Sequence, residues 1–145
     1  MTSFIRAGIA IAAAMAVAAL ATSAFAETIT YKAALKGSNE IPANTSMGTG
    51  TADVTYDTVT KKLTWTVTYN GLSGPATASH FHSPAAATEN AGVTVPLTGA
   101  LTSPIKGEAT LTDALAKDLA DGKMYFNIHT AANPGGEIRG QVTKG

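Results

Sequence analysis

Cysteine is absent from the 145 residues. That excludes a disulfide framework, thiolate metal sites and thiol nucleophiles, and leaves the fold to be held by packing alone. Charge is scarce as well: charged residues make up 14% of the chain, ten basic against ten acidic. Because one of the basic residues is Arg6, near the N-terminus, the remainder of the chain is one unit negative. Neither a basic stripe nor a polybasic cluster is present, so the electrostatic footprint of a nucleic-acid or anionic-membrane partner is missing. The longest apolar run, Ala7 to Ala21, falls short of the roughly 20 residues a membrane-spanning helix needs. Histidine occurs only three times, which makes its placement informative.

What is present begins with a leader. Arg6 supplies a positive start, the run Ala7 to Ala21 an apolar centre, and "SAFA" places small residues at Ala24 and Ala26. This is the pattern of a secretory signal peptide with an A-x-A cleavage site. Residues 1–26 are therefore expected to be removed, giving a periplasmic or secreted protein that starts at Glu27. Residues 27–145 have the length of one domain, enough to bury a core without staples.

Within that domain, period-two alternation dominates. In "KKLTWTVTYNG", Leu63, Trp65, Val67 and Tyr69 share one face and the threonines between them the other, as a half-buried antiparallel strand requires. Ala52, Val54 and Tyr56 in "TADVTYD" repeat the pattern, as do Ile29, Tyr31, Ala33 and Leu35 in "TITYKAAL". Turn-forming clusters of Gly, Pro, Asn and Ser separate these runs. One segment differs: "LTDALAKDLADGK" places Leu111, Leu115 and Leu119 four apart, with Thr112 or Asp113 as N-cap and Gly122 just past the end. The expected architecture is all-β, a Greek-key β-sandwich or barrel with one short helix.

The histidines sit in "SHFH" and "FNIHT". Residues i and i+2 of a strand project from one face, so His80 and His82 stand side by side while Phe81 points the other way. In "KMYFNIHT", Met124, Phe126 and Ile128 form the apolar set, and His129 aligns with Tyr125 and Asn127. Three imidazoles suit copper or zinc, and three protein ligands leave a position open for water or substrate. The same spacing also suits ordinary exposed strand histidines. If the strand carrying His129 returns through "NPGG" as a hairpin, Arg139 approaches it and would steer a small anion to the ion. Spacing alone equally permits Arg139 to pair with Glu137. Glu40, in "SNEIP", reads as a brace for its loop, and Met124 as core rather than a cuprous ligand.

Taken together, "AALKGSNEIP", "GTGTADVTYD", "LTWTVTYNGLSGPATASHFHSPA", "LTDALAKDLADGKMYFNIHT" and "NPGGEIRGQV" resemble the CHRD domain, the module named for chordin and also found in bacterial exported proteins. The resemblance spans about residues 28–143. It implies an immunoglobulin-like Greek-key fold distantly similar to copper-zinc superoxide dismutases, which use a His-x-His strand pair plus distant histidines for copper. Carried onto this chain, it implies copper ahead of zinc at His80, His82 and His129, with Arg139 matching by role the arginine that guides superoxide or another small anion. Those dismutases bring four histidines to copper, and this chain has three in all. Three functions follow: a copper-binding protein, a superoxide dismutase-like enzyme, or a non-enzymatic adhesion module acting through a homodimer or another protein partner. Mass spectrometry of protein recovered from the exported fraction is expected to find Glu27 as the N-terminus; a retained Met1 would contradict the leader.

Overall fold

The computed structural model describes residues 11–145. Arg6 and the first residues of the apolar run lie outside the described residues; residues 11–26 are exposed and carry no regular structure. Among the described residues, no helix is long and apolar enough to cross a membrane. Eight strands follow: β1 (Thr28–Lys36), β2 (Thr49–Asp57), β3 (Lys62–Asn70), β4 (Ala76–His82), β5 (Val93–Pro96), β6 (Ile105–Thr110), β7 (Met124–Thr130) and β8 (Ile138–Lys144), with one helix, α1 (Asp113–Ala120), between β6 and β7. They form a single sheet in the order β5-β4-β7-β8-β1-β2-β3-β6, every pair antiparallel, curled into a nearly closed barrel. The expected all-β architecture with one short helix is what the chain adopts.

Alternation sets the interior. Tyr31, Ala33 and Leu35 of β1, Ala52, Val54 and Tyr56 of β2, and Leu63, Trp65 and Val67 of β3 are all buried. Their cross-strand pairing, for example Val54 opposite Trp65, leaves the intervening polar residues outside. A slip of one residue would turn every one of these side chains outward, so burial pins the register. Curling lets distant strands meet: the ring of Trp65 on β3 contacts that of Phe81 on β4 edge-on at 5.2 Å, and Phe81 contacts Phe126 on β7 at 4.8 Å. Phe81 faces the core as the period-two reading requires, and Met124 is buried there too.

The helix is stopped at both ends by local chemistry. Thr112 is the N-cap, its hydroxyl accepting from the Leu115 amide at 3.2 Å. At the other end Gly122, at φ +70, turns the chain, so that its amide reaches Leu119 O and the Lys123 amide reaches Asp118 O. These two bonds are the pair of a Schellman motif, and only glycine takes that φ without steric cost. Leu119 and Leu111 are buried against the barrel.

Alternation does not describe β7. Its core face is buried, yet Tyr125 and Asn127 on the opposite face are buried too, at 3% and 2% exposure. Two loops fold over the outside of the barrel there. The segment 83–92 crosses β7 and β8, with Ala85 and Gly122 carbonyls accepting from the Gln141 amide. The segment 37–48 is tied down by Asn39 to Arg139 O and by Asn44 to Glu137 O, both at 3.0 Å. Asn90 joins the loops by donating to Ile41 O at 2.9 Å.

Between β2 and β3, Asp57 closes the turn: its Oδ1 accepts from the Thr60 amide at 2.8 Å and from the Val59 amide at 2.9 Å. Those bonds, the Thr60 amide foremost, hold the carboxyl below its ordinary value of 3.8. A carboxyl lowered in the folded state adds stability that is present above its unfolded value and lost as pH falls through its folded value. Asp57→Ala is therefore expected to melt below the wild type at neutral pH, with the gap closing as pH falls beneath 3.8. Thermal melts across that range check it; a gap independent of pH would contradict it.

Candidate metal site

The outer face of β4 and β7 carries the three histidines, because the strands pair with His80 opposite Asn127, His82 opposite Tyr125 and Ala78 opposite His129. One member from each cross-strand pair, or its diagonal neighbour, thus points to the same spot on the sheet. Bulges flank the group. The β4–β7 register shifts between Ala76 and Ala78, beside His129, and the β4–β5 register between Phe81 and His82. Bulges re-aim adjacent side chains. The histidine ligand atoms all lie within 4.8 Å of one another, and His80 Nδ1 lies 3.1 Å from His129 Nε2.

Hydrogen bonds fix which nitrogens face the centre. His82 Nδ1 lies 3.0 Å from Ala91 O, and His129 Nδ1 lies 2.9 Å from Pro134 O. A carbonyl only accepts, so each Nδ1 carries the proton and each Nε2 of the neutral ring is bare. An N–H anchored on a carbonyl is the outer-shell arrangement of metal-binding histidines. Both bare nitrogens then lie 3.0 Å from Asn127 Oδ1, another acceptor. His80 can donate from Nδ1 to His129 Nε2, but no proton remains for the contact between His82 Nε2 and Asn127 Oδ1. With Asn127 Oδ1 turned to the histidines, that contact brings two acceptors together in the neutral cluster.

A proton on His82 is disfavoured. Burial lowers its pKa first of all, with the charges of His129 and Arg139 acting the same way against the raising effect of its bonds to Ala91 and Asn127. Burial likewise lowers His80, helped by His129 and His82. A neutral imidazole is the form that binds a metal ion. The donor set therefore fits an imidazole-preferring divalent ion.

Arg139 is beside this group and differently engaged. Its guanidinium lies 3.5 Å from the Tyr125 ring centroid, and the other face of that ring stacks on His82 with centroids 4.6 Å apart. Its nitrogens donate to Glu89 O at 2.6 Å, Asn90 Oδ1 at 2.9 Å and Ala86 O at 3.3 Å. At 1% exposure it is enclosed by the 83–92 loop rather than open to solvent. Its hairpin with β7 exists, but the register sets it opposite Asn127, and its hydrogen bonds go to the loop instead of His129. The pairing with Glu137 does not form, because Glu137 turns to Ser73 and to Asn133, whose amide donates at 2.9 Å.

Glu40 braces its loop, as its position suggested, and does so next to the site. It is 6% exposed and packs on Gly136. A Cβ at position 136 would collide with Glu40 Oε1 and lie 2.8 Å from Asn127 Nδ2, and φ there is +129, so only glycine fits. Burial pushes the Glu40 carboxyl up to about 7, opposed by the charge of Arg139 and by the Asn127 amide. That amide is close enough to favour the carboxylate, although Glu40 Oε1 lacks a hydrogen bond of ordinary geometry. A cavity of about 540 Å³ lies against Glu40, Ile41 and Arg139 and includes none of the histidines. Met47 is exposed in its loop, outside the histidine group.

Asn127 and Tyr125 carried no separate signal in the sequence. Only their parity with His129 marked them, while the loop that buries them is an irregular segment with no periodicity to read.

The model of the CHRD domain matches residues 31–142, and the chain belongs to the CHRD-domain family. No curated protein and no solved structure matches it.

Because the buried Arg139 donates to the 83–92 loop three times, Arg139→Ala removes the partners of the Ala86 and Glu89 carbonyls and of Asn90 Oδ1. Losing hydrogen bonds to a buried charged donor is expected to cost about 2–4 kcal/mol. Urea unfolding measures this, and amide exchange should show residues 84–92 opening first. A variant as stable as the wild type would contradict the role.

Proposed function

We propose that this chain is an exported copper-binding CHRD-domain protein in which His80, His82 and His129 hold one ion. The observation that carries the reading is the convergence of a ring nitrogen from each of the three histidines within 4.8 Å, with two acceptors, His82 Nε2 and Asn127 Oδ1, 3.0 Å apart. A cation bound there would satisfy every acceptor at once. Copper is favoured over zinc because the cupric ion binds nitrogen donors more tightly across the divalent series, and imidazole suits both. Export rests on the leader, Arg6 through Ala26. The residues do the holding: β4 supplies two imidazoles, β7 the third, and the carbonyls of Ala91 and Pro134 orient two of the rings.

A second reading, a superoxide dismutase-like activity, is favoured by one feature. The charge of Arg139 reaches His82, and His80 and His129 remain partly open to solvent, so a small anion would meet a positive field at an accessible ligand set. Bound copper would supply the one-electron couple such a reaction needs. Arg139 would act through its field, since its donors are occupied by the loop.

Titration with cupric and zinc ions, followed by electron paramagnetic resonance, tests the reading. One cupric ion per chain is expected, with a single type 2 signal showing nitrogen couplings, and affinity falling at least ~100-fold in His80→Ala, in line with losses of 10–100-fold for outer-shell partners alone. Equal binding by a variant with all three histidines replaced by alanine would overturn it. Superoxide consumption no faster than that of free copper would remove the enzymatic reading and leave the binding one.

A further inference from the structure

Asn127 occupies a place that the three-histidine count leaves open. Its Oδ1 lies 3.0 Å from His82 Nε2 and 3.0 Å from His129 Nε2, and His129 Nε2 lies 3.1 Å from His80 Nδ1. Neighbouring donors on an ion with bonds of about 2.0–2.1 Å stand about 2.8–3.4 Å apart, by simple trigonometry for square and tetrahedral sites. The oxygen is thus spaced from two imidazoles as a ligand is spaced from its neighbours. It is also buried, midway along β7.

An asparagine can present either its oxygen or its amine, and orientation has to be set by its other end. Here the other end faces Glu40. Asn127 Nδ2 and Glu40 Oε1 both crowd the point where residue 136 would carry a Cβ, and glycine at 136 makes room for them. With the amine of Asn127 on the Glu40 side of the side chain, its oxygen faces the histidines. Three segments far apart in the chain, "SNEIP", "NPGG" and the Asn of "FNIHT", meet here.

We propose that Asn127 is the fourth donor to the metal through its side-chain oxygen, with Glu40 as the positioning residue that holds the amide in that orientation. This rests on the reading of the histidines as a metal site. It makes the ligand set three nitrogens and one amide oxygen, drawn from β4 and β7 alone.

The test is paramagnetic resonance and direct titration of the purified protein with cupric ion, comparing wild type with Asn127→Ala and Asn127→Asp. For Asn127→Ala, the three-nitrogen coupling pattern is expected to persist while the parallel g and copper hyperfine values shift and affinity falls by about 10–100-fold. Asn127→Asp keeps an oxygen of the same reach and adds charge, so it is expected to bind at least as tightly as wild type with its own altered hyperfine values. Should Asn127→Ala not fold, the aspartate variant decides: a signal and affinity identical to wild type overturn the proposal. An alanine variant indistinguishable from wild type also overturns it, while leaving the histidine site intact. Absence of nitrogen couplings in the wild type itself would overturn the histidine reading, and this proposal with it.

Discussion

The antiparallel pairing of β4 with β7 is the constraint on which the site depends. It sets His80 opposite Asn127 and His82 opposite Tyr125, and so brings side chains separated by more than forty positions to one patch of sheet. The same pairing packs Phe81 on Phe126 inside the barrel. Core and site therefore share a register: the burial that prevents a slip of β4 also fixes where the imidazoles point. A functional group placed on paired strands in this way inherits the rigidity of the core, which a loop-borne group would lack.

A second layer follows from that register. The outward residues of β7 and β8 would be exposed on a plain barrel, yet here they are roofed by two loops whose backbone groups they satisfy. Arg139 binds the 83–92 loop, Tyr125 lies between Arg139 and His82, and Glu40 and Asn127 press on Gly136. The loop returns the contact by giving the Ala91 carbonyl to His82. That carbonyl orients the ring, while burial under the roof raises the cost of protonating it. Buried polar groups of this kind are stable only when each has a partner, which is why the unmatched contact of His82 with Asn127 stands out.

Much of the fold was legible in the chain. Alternating apolar residues marked β1, β2 and β3 and their inward faces, and the leucine spacing with Thr112 and Gly122 marked α1. Parity also placed the histidines correctly relative to Phe81 and to Met124, Phe126 and Ile128. What parity cannot supply is the partner of a strand or the course of a loop. For this reason Arg139, read as facing His129 or Glu137, instead holds carbonyls of a segment without any pattern. Asn127 escaped notice as a site residue on the same ground, and Glu40 was read as a brace for its loop without its contact to the site, since each acquires its meaning from tertiary contacts across "SNEIP", "FNIHT" and "NPGG".

The central claim is that His80, His82 and His129 hold an ion at one point on the outer face of β4 and β7. A crystal structure of the copper-loaded protein, with anomalous scattering recorded on both sides of the copper absorption edge, addresses it most directly. The account predicts a single anomalous peak about 2.0–2.1 Å from one nitrogen of each of the three rings. An anomalous peak elsewhere on the chain, or ordered histidines with no peak between them in copper-saturated crystals, would contradict it.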